Sequence, residues 1–355
     1  MKSLVCLFCI AIIDFGNALP INETSVNTIH PIVPDIVRTS NKDLLRLYES
    51  SQDAEVRPGL FEGDIAVTSE YFDYWRIGLR WDVFPDKLWE NKTVPYVISA
   101  LYDTVDYIKI YKAITYINYM TCIKFVPWDT KAKDFLLIWP IMYPKGCWSF
   151  VGKFGGAQIL SLEPPDEKGP NCLENEGRAI HELMHALGIF HEHSRADRDM
   201  YIDIHYDNII PEFRSNFNKQ SPENATYRYE YGYDSIMHYG SHFFSIDPTK
   251  PTLTPKRPGV MIGQRKAMSK IDCLKLNDLY GCLDKPEQAQ IYHNICYEKL
   301  GRDILPFLPE PTMERNGTNG TNANRPKPVN DGNSANYHQC LKVGNFRFKA
   351  LKQIT

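Results

Sequence analysis

The chain has 355 residues, 43% hydrophobic and 23% charged, enough apolar material for a core of ordinary size. Such a composition excludes wholesale disorder, collagen-like repeats and coiled coil. Forty basic against 43 acidic residues leave a net charge of -3, which gives no global footprint for a nucleic-acid partner.

In chain order, residues 1–18 read as a secretory signal peptide. Lys2 is followed by an apolar run over 4–13, then by small residues up to a cleavage site near Ala18. The run spans about ten residues, half of what a bilayer-crossing helix needs, and no later stretch is apolar enough to serve. The protein is therefore expected to be secreted into an extracellular, oxidising compartment. Cys6 and Cys9 leave with the leader, and Cys122, Cys147, Cys172, Cys273, Cys282, Cys296 and Cys340 remain. The odd number implies a free thiol or a bridge to another chain, and the sequence leaves the connectivity open. Sequons for N-glycosylation at Asn22, Asn91, Asn224, Asn316 and Asn319 agree with that route.

Residues 19–80 mix proline, asparagine and charge without periodicity or cysteine, as expected of a segment that leans on a neighbour. From Val94 the pattern tightens. Runs at 94–99, 123–126, 135–139 and 158–162 predict strands, and Ile108, Ile114 and Ile117 give 105–119 helical spacing. A last helix is predicted over 269–280, with Gly281 at its C-terminal cap. These elements define an α+β unit over 81–282. Residues 283–355 read as a low-complexity, partly disordered tail, most plainly at 316–330.

The chemistry is concentrated in AIHELMHALGIFHEHSRADRD, residues 179–199. His181 and His185 are four apart, so on a helix both imidazoles leave from one face and can take two corners of a tetrahedral zinc site, with Glu182 beside an open position. Gly188 can adopt the left-handed conformation that turns the chain back and brings His191 in as third ligand. Three neutral imidazoles would leave a Zn2+ ion dipositive and Lewis acidic.

HELMHALGIFH is the extended HExxHxxGxxH signature of metzincin metalloproteases, and SIMHY at 235–239 supplies their Met-turn. Glu192 directly after the third histidine, the 194–199 continuation, a tyrosine two past the turn methionine, and GCWSFVG with GG over 146–156 resemble the astacin family specifically. The resemblance covers about residues 60–282. It implies a two-subdomain α+β fold, with a mixed sheet and active-site helix in the first half and the Met-turn and C-terminal helix in the second.

The resemblance further implies one Zn2+ on His181, His185 and His191, Glu182 as general base, Met237 as an apolar floor, and Tyr239 as a switchable ligand that stabilises the oxyanion. Substrates would be proteins or peptides, lying extended along an edge strand near 155–160. In LFEGD, residues 60–64, the FxGD pattern is similar to the family's aspartate switch, in which Asp64 would coordinate zinc in a zymogen. Activation would follow a cut near Arg80 by a trypsin-like protease, and the new N-terminus would be buried near Glu192. By the same resemblance Cys147 pairs with Cys172 and Cys122 with Cys282. Cys296 is near enough in sequence to reach Cys273, leaving Cys340 odd, although a Cys296–Cys340 pair stays open.

Some features stand apart from the family's pattern. His193 occupies a place where glutamine is more usual and, two beyond His191, need not face the metal, while His205, His238, His242 and Asp234 read as surface or packing residues. Lys250, Lys256, Arg257, Arg265 and Lys266 form a basic loop that would favour an acidic residue after the scissile bond. The tail carries no appended CUB or EGF-like pattern. Its last fifteen residues, with Lys342, Arg347, Lys349 and Lys352, are a candidate for weak binding to an anionic surface, against the plainer reading as a frayed basic terminus. A catalytically silent secreted binding protein of the same fold is the alternative, against which the intact Glu182, histidines, Tyr239 and Asp64 weigh.

Overall fold

The structure is a computed structural model in which residues 31–32, 53–56, 59–68, 84–141, 144–165, 171–220 and 228–298 are described. All of them belong to one compact unit, Pro31–Leu308. The signal peptide, Asn22, Asn224, Asn316 and Asn319, the expected cut near Arg80, Cys340 and the basic tail lie outside the described residues.

The first half is built on a seven-stranded mixed sheet. Its strands are β1 (Pro31–Ile32), β2 (Ile65–Ala66), β3 (Thr93–Ile98), β4 (Lys124–Pro127), β5 (Phe135–Trp139), β6 (Trp148–Phe150) and β7 (Ala157–Ser161), in the order β2-β6-β7-β5-β3-β4 with β1 beside β7. The β3–β4, β3–β5 and β5–β7 ladders are parallel, and β6–β7 is antiparallel. Helix α1 (Thr104–Met120) is the crossover between β3 and β4. It starts where the Asp103 carboxylate caps the Asp106 amide at 2.8 Å, and it buries Ile110, Ala113, Ile114 and Ile117 at i, i+3 and i+4 spacing. Strand β7 is buried along its whole length and β5 over 135–138, as the interior of a covered sheet requires.

Helix α2 (Gly177–Ala186) packs against α1 and β6 and carries the HELMH run. Gly177 is required at its start, because a Cβ there would stand 1.9 Å from the Arg265 carbonyl oxygen. Gly188 ends it at φ 101, with its amide on the His185 carbonyl at 2.8 Å, a left-handed stop that favours glycine. Trp89 ties the start of the domain to this point, donating Nε1–H to the Ala186 carbonyl at 2.8 Å.

Beyond Gly188 the chain is mostly turns and short 3-10 segments around one small hairpin, β8 (Ile202–Ile204) and β9 (Leu253–Pro255). An aromatic cluster of Phe217, Tyr239 and Phe244 holds this half together. Helix α3 (Lys270–Leu279) closes it, with a reciprocal capping box between Ser269 and Asp272.

The sequence pattern placed the end of the ordered domain at 282, but the chain continues into helix α4 (Pro286–Glu298). Only Cys296 of this helix is buried. A Cys273–Cys296 disulfide and the ammonium of Lys270 over the Tyr297 ring at 3.6 Å fasten it to α3. Cys122 is bonded to Cys282 and Cys147 to Cys172.

Candidate zinc centre

Helix α2 presents His181 and His185 side by side, and the turn at Gly188 swings His191 in to meet them. All three are buried. Each imidazole uses Nδ1 for an outer contact: His181 to the Ile236 carbonyl at 2.8 Å, His185 to the Ile189 carbonyl at 2.7 Å, and His191 to the Glu62 carboxylate at 2.7 Å. A carbonyl only accepts, so Nδ1 carries the proton in His181 and His185 and the Nε2 lone pairs point inward, as metal ligation needs.

The fourth corner is Asp64. Its Oδ2 is 3.2 Å from the Nε2 atoms of both His181 and His191, its Oδ1 is 3.7 Å from His185 Nε2, and the His181 and His185 Nε2 atoms are 3.1 Å apart. A tetrahedron with zinc–ligand bonds of about 2.0–2.1 Å has edges near ~3.3 Å. The four donors lie within 4.8 Å of one another, so the residues fit zinc in number, type and spacing. Burial pushes the Asp64 carboxyl up, but the neighbouring imidazoles, His191 foremost, outweigh it and hold the group below the usual carboxylate range.

Glu182 is fully buried, and among the described residues neither of its oxygens has a hydrogen-bond partner. Burial, followed by the charges of Asp64 and Glu55, raises its pKa well above the ordinary glutamate value. Such a carboxylate is basic enough to take a proton near neutral pH.

The Met-turn sits under the cluster. Asp272 of α3 accepts from the Ser235 hydroxyl at 2.5 Å and from the Ile236 amide at 2.8 Å, which aims the Ile236 carbonyl at His181. Met237 is buried in the core with Leu183 and Met184. The Tyr239 hydroxyl donates to the Glu62 carbonyl, and its ring stacks on His193 at 3.6 Å. Burial first, then the Glu62 and Asp64 charges, keeps this phenol protonated.

Residues 53–66 reach the site at two points. At Glu62 (φ 47) and Gly63 (φ 87) the chain turns tightly, so that Asp64 faces the imidazoles. Strand β2 then adds to the sheet beside β6, parallel to it, with the Ser149 amide on the Asp64 carbonyl at 3.0 Å. Strand β6 is thus one edge that takes an extended chain, and β1 of the preceding segment pairs with β7 at 157–158, within the 155–160 stretch the sequence suggested. Strand β7 lies between β5 and β6, a position a one-dimensional pattern does not reveal.

The second contact is Glu55, which is fully buried. Its carboxylate receives Arg265 at 2.6 to 2.9 Å and Arg178 at 2.8 Å, and Arg178 also holds Asp53 at 2.7 Å. Arg265 thus does not belong to an exposed basic loop. Of the other cations assigned there, Lys250 pairs with Asp247 at 3.7 Å and Lys256 with Asp203 at 3.3 Å.

Several expected residues fall elsewhere. Glu192 is buried on the far side of His191, against Lys275 at 2.5 Å and Arg195 at 3.0 Å. His193 holds the Asn216 carbonyl through Nε2 at 3.0 Å and is not a ligand, while His238 is buried against the Tyr231 hydroxyl at 2.7 Å. His205 pairs with Thr254, His242 is exposed, and Asn91 is exposed at φ 53. Sequence reasoning missed Glu62, Glu55, Arg178, Asp272 and Lys275. Only Asp272 carried a local signal, the Ser-x-x-Asp capping box.

Comparison with known proteins gives a consistent result. The family model for astacin peptidases matches residues 83–281. The zinc metalloproteinase nas-15 of Caenorhabditis elegans is 40% identical over 55% of this chain and 33% of its own length. High choriolytic enzyme 1 of Oryzias latipes is 34% identical over 78% of this chain and 97% of its own length. The solved structure of that hatching-enzyme zinc-protease is 39% identical, covers 55% of this chain and 92% of its own, and has a TM-score of 0.49. Against three nematode zinc metalloproteinases and a Xenopus embryonic protein, the chain spans 33 to 59% of their length. This chain belongs to the astacin family.

Proposed function

We propose that this protein is a secreted zinc endopeptidase made as a zymogen, hydrolysing peptide bonds of protein substrates. The reading is carried by one observation: a carboxylate from the segment ahead of the protease domain completes the tetrahedron of donors that the HExxHxxGxxH run begins.

Bound zinc supplies Lewis acidity, which makes water nucleophilic near neutral pH and polarises the substrate carbonyl. Glu182 takes the proton from the attacking water and delivers it to the leaving amine. Tyr239, once free of the Glu62 carbonyl, donates its hydroxyl to the oxygen on which charge develops. His181, His185 and His191 are held in orientation by their Nδ1 contacts, and Met237 lies below them in the core. The substrate's backbone adds to the β6 edge once β2 has left.

Latency follows from Asp64 in the fourth corner and from Tyr239 tied to Glu62, so activation requires a trypsin-like protease to cut between 66 and the domain. Cleavage at Arg80 suits that specificity. Departure of Glu55 frees Arg265 and Arg178, which favours an acidic residue just after the scissile bond. N-glycosylation at the exposed Asn91 agrees with passage through the secretory route.

The test is hydrolysis of a quenched-fluorescent peptide library by recombinant protein before and after trypsin, with a zinc chelator and Glu182→Ala as controls. Activity should appear only after trimming and vanish with either control. Trimmed, zinc-loaded protein that cleaves nothing in a diverse library would sink the endopeptidase reading in favour of a silent binding protein.

A further inference from the structure

The environment of Glu192 bears on how the protease domain is completed after activation. Glu192 directly follows the ligand His191, its amide donates to the Met237 carbonyl at 2.9 Å, and only 4% of its surface is exposed. It is therefore the joint between the third zinc ligand and the Met-turn. A carboxylate so buried needs a cation, and the family resemblance would assign that role to the new N-terminus.

In this chain the cations are already in place while the preceding segment is still docked. Lys275, from the middle of α3, brings Nζ to 2.5 Å of Glu192 Oε2. Arg195 Nη1 and the Gly232 amide donate to Oε1 at 3.0 and 2.8 Å. Arg195 in turn binds Asp197 through Nε and Nη2, at 2.9 and 2.8 Å, with its guanidinium over the Tyr231 ring at 5.4 Å. Two acids, Glu192 and Asp197, thus pair with two bases, Arg195 and Lys275, while the buried Asp272, one turn before Lys275, accepts from Ser235, Ile236 and Ser269. Against the burial that pushes its pKa up, Lys275 and then Arg195 hold the Glu192 carboxyl below the ordinary glutamate value. An incoming α-ammonium would have to be desolvated beside a carboxylate whose two oxygens are already paired with Lys275 and Arg195, which leaves it little to gain.

We infer that Lys275 is a positioning residue that takes the place of the mature N-terminus: it fixes Glu192, and through it His191 and the Met-turn, before any cleavage. Activation of this chain then consists of removing Asp64 and β2, and tolerates cuts at different points ahead of the domain. This rests on the zymogen reading above and extends it.

The test uses the full chain with engineered cleavage sites that give mature forms beginning at 79, 81 and 84. A fourth form begins with glutamine at 81 and is cyclised to pyroglutamate, so it has no α-ammonium. Peptidase kcat/KM and the rate of zinc loss to a chelator are measured on each. All four forms should agree within about twofold in both readouts. A second series carries Lys275→Met: zinc loss should quicken at least tenfold, Lys275→Arg should restore most of the retention, and within Lys275→Met the form with a free amine at 81 should outperform the blocked one.

A tenfold loss of kcat/KM or of zinc retention in the unsubstituted chain on shifting or blocking its N-terminus would overturn the inference. So would Lys275→Met that retains zinc as well as the unsubstituted chain. Full activity in the uncut chain would instead remove the zymogen reading, while the zinc-loss rates would still report on Lys275.

Discussion

Two of the contacts that hold the segment preceding the protease domain differ in their chemistry. At Asp64 a carboxylate faces three buried imidazoles, a site whose affinity for an anion depends on the metal. At Glu55 a carboxylate faces two guanidiniums, Arg178 and Arg265, whose charge is permanent. The first contact lies where the chemistry happens, and the second binds whether or not zinc is loaded. If the zymogen reading holds, the two contacts form a latch in which the Glu55 end stays docked when the Asp64 end is released.

The sharpest way to separate the two contacts is to remove the metal. Chelation should raise amide exchange at residues 61–66 by about 100-fold, the equivalent of ~2.7 kcal/mol at 1.4 kcal/mol per tenfold, while exchange at 53–56 changes less than threefold. Equal loss of protection at both ends would mean that the contacts are one cooperative unit.

Glu55→Gln should do the reverse. It leaves the buried Arg265 without its anion and Arg178 with Asp53 alone, and should speed proteolytic trimming of the uncut chain about tenfold, the equivalent of about 1.4 kcal/mol, with zinc affinity unchanged. Acid should reproduce part of this effect. The folded Glu55 carboxyl lies far below its ordinary value of 4.5, because Arg265 and then Arg178 outweigh burial. Its contribution is therefore complete above pH 4.5 and is lost as pH falls toward the depressed value. Melting of the uncut chain should lose this increment on acidification, and Glu55→Gln should show a shallower slope over that range.

The smallest effect is expected from Tyr239→Phe in the uncut chain. It removes one hydrogen bond to the Glu62 carbonyl, worth about 1 kcal/mol, and should lower protection at 61–66 only about fivefold. A larger loss would mean that Tyr239 is a principal holdfast of the segment.

Legibility in the sequence followed the range of the interactions. The ligand set His181, His185 and His191 was readable because helix period and one glycine fix it within eleven residues. Strands β3, β4, β5 and β7 were readable to within a residue or two because their apolar runs are local. That β6 forms an edge was not, since it is only three residues long and is placed by pairing rather than by pattern. The Glu55–Arg178–Arg265 and Glu192–Lys275 pairs join residues more than eighty positions apart, and nothing in a single sequence says which charges meet. Asp64 was identified through its FxGD motif, whereas Glu62, in the same motif, was missed because its role depends on the Nδ1 side of His191. Helix α4 was missed because its hold on the domain comes from one disulfide and one cation on a ring rather than from an apolar stripe.

The most direct measurement is peptide hydrolysis by the zinc-loaded chain kept uncut, with integrity confirmed by intact mass, comparing the unsubstituted protein with Asp64→Ala. If Asp64 fills the fourth corner of the site, the unsubstituted chain will be silent and Asp64→Ala will gain at least about 100-fold activity without any cleavage, as release of roughly 2.7 kcal/mol of blockade requires. An uncut, unsubstituted chain that hydrolyses peptide as fast as the trimmed form would contradict the account.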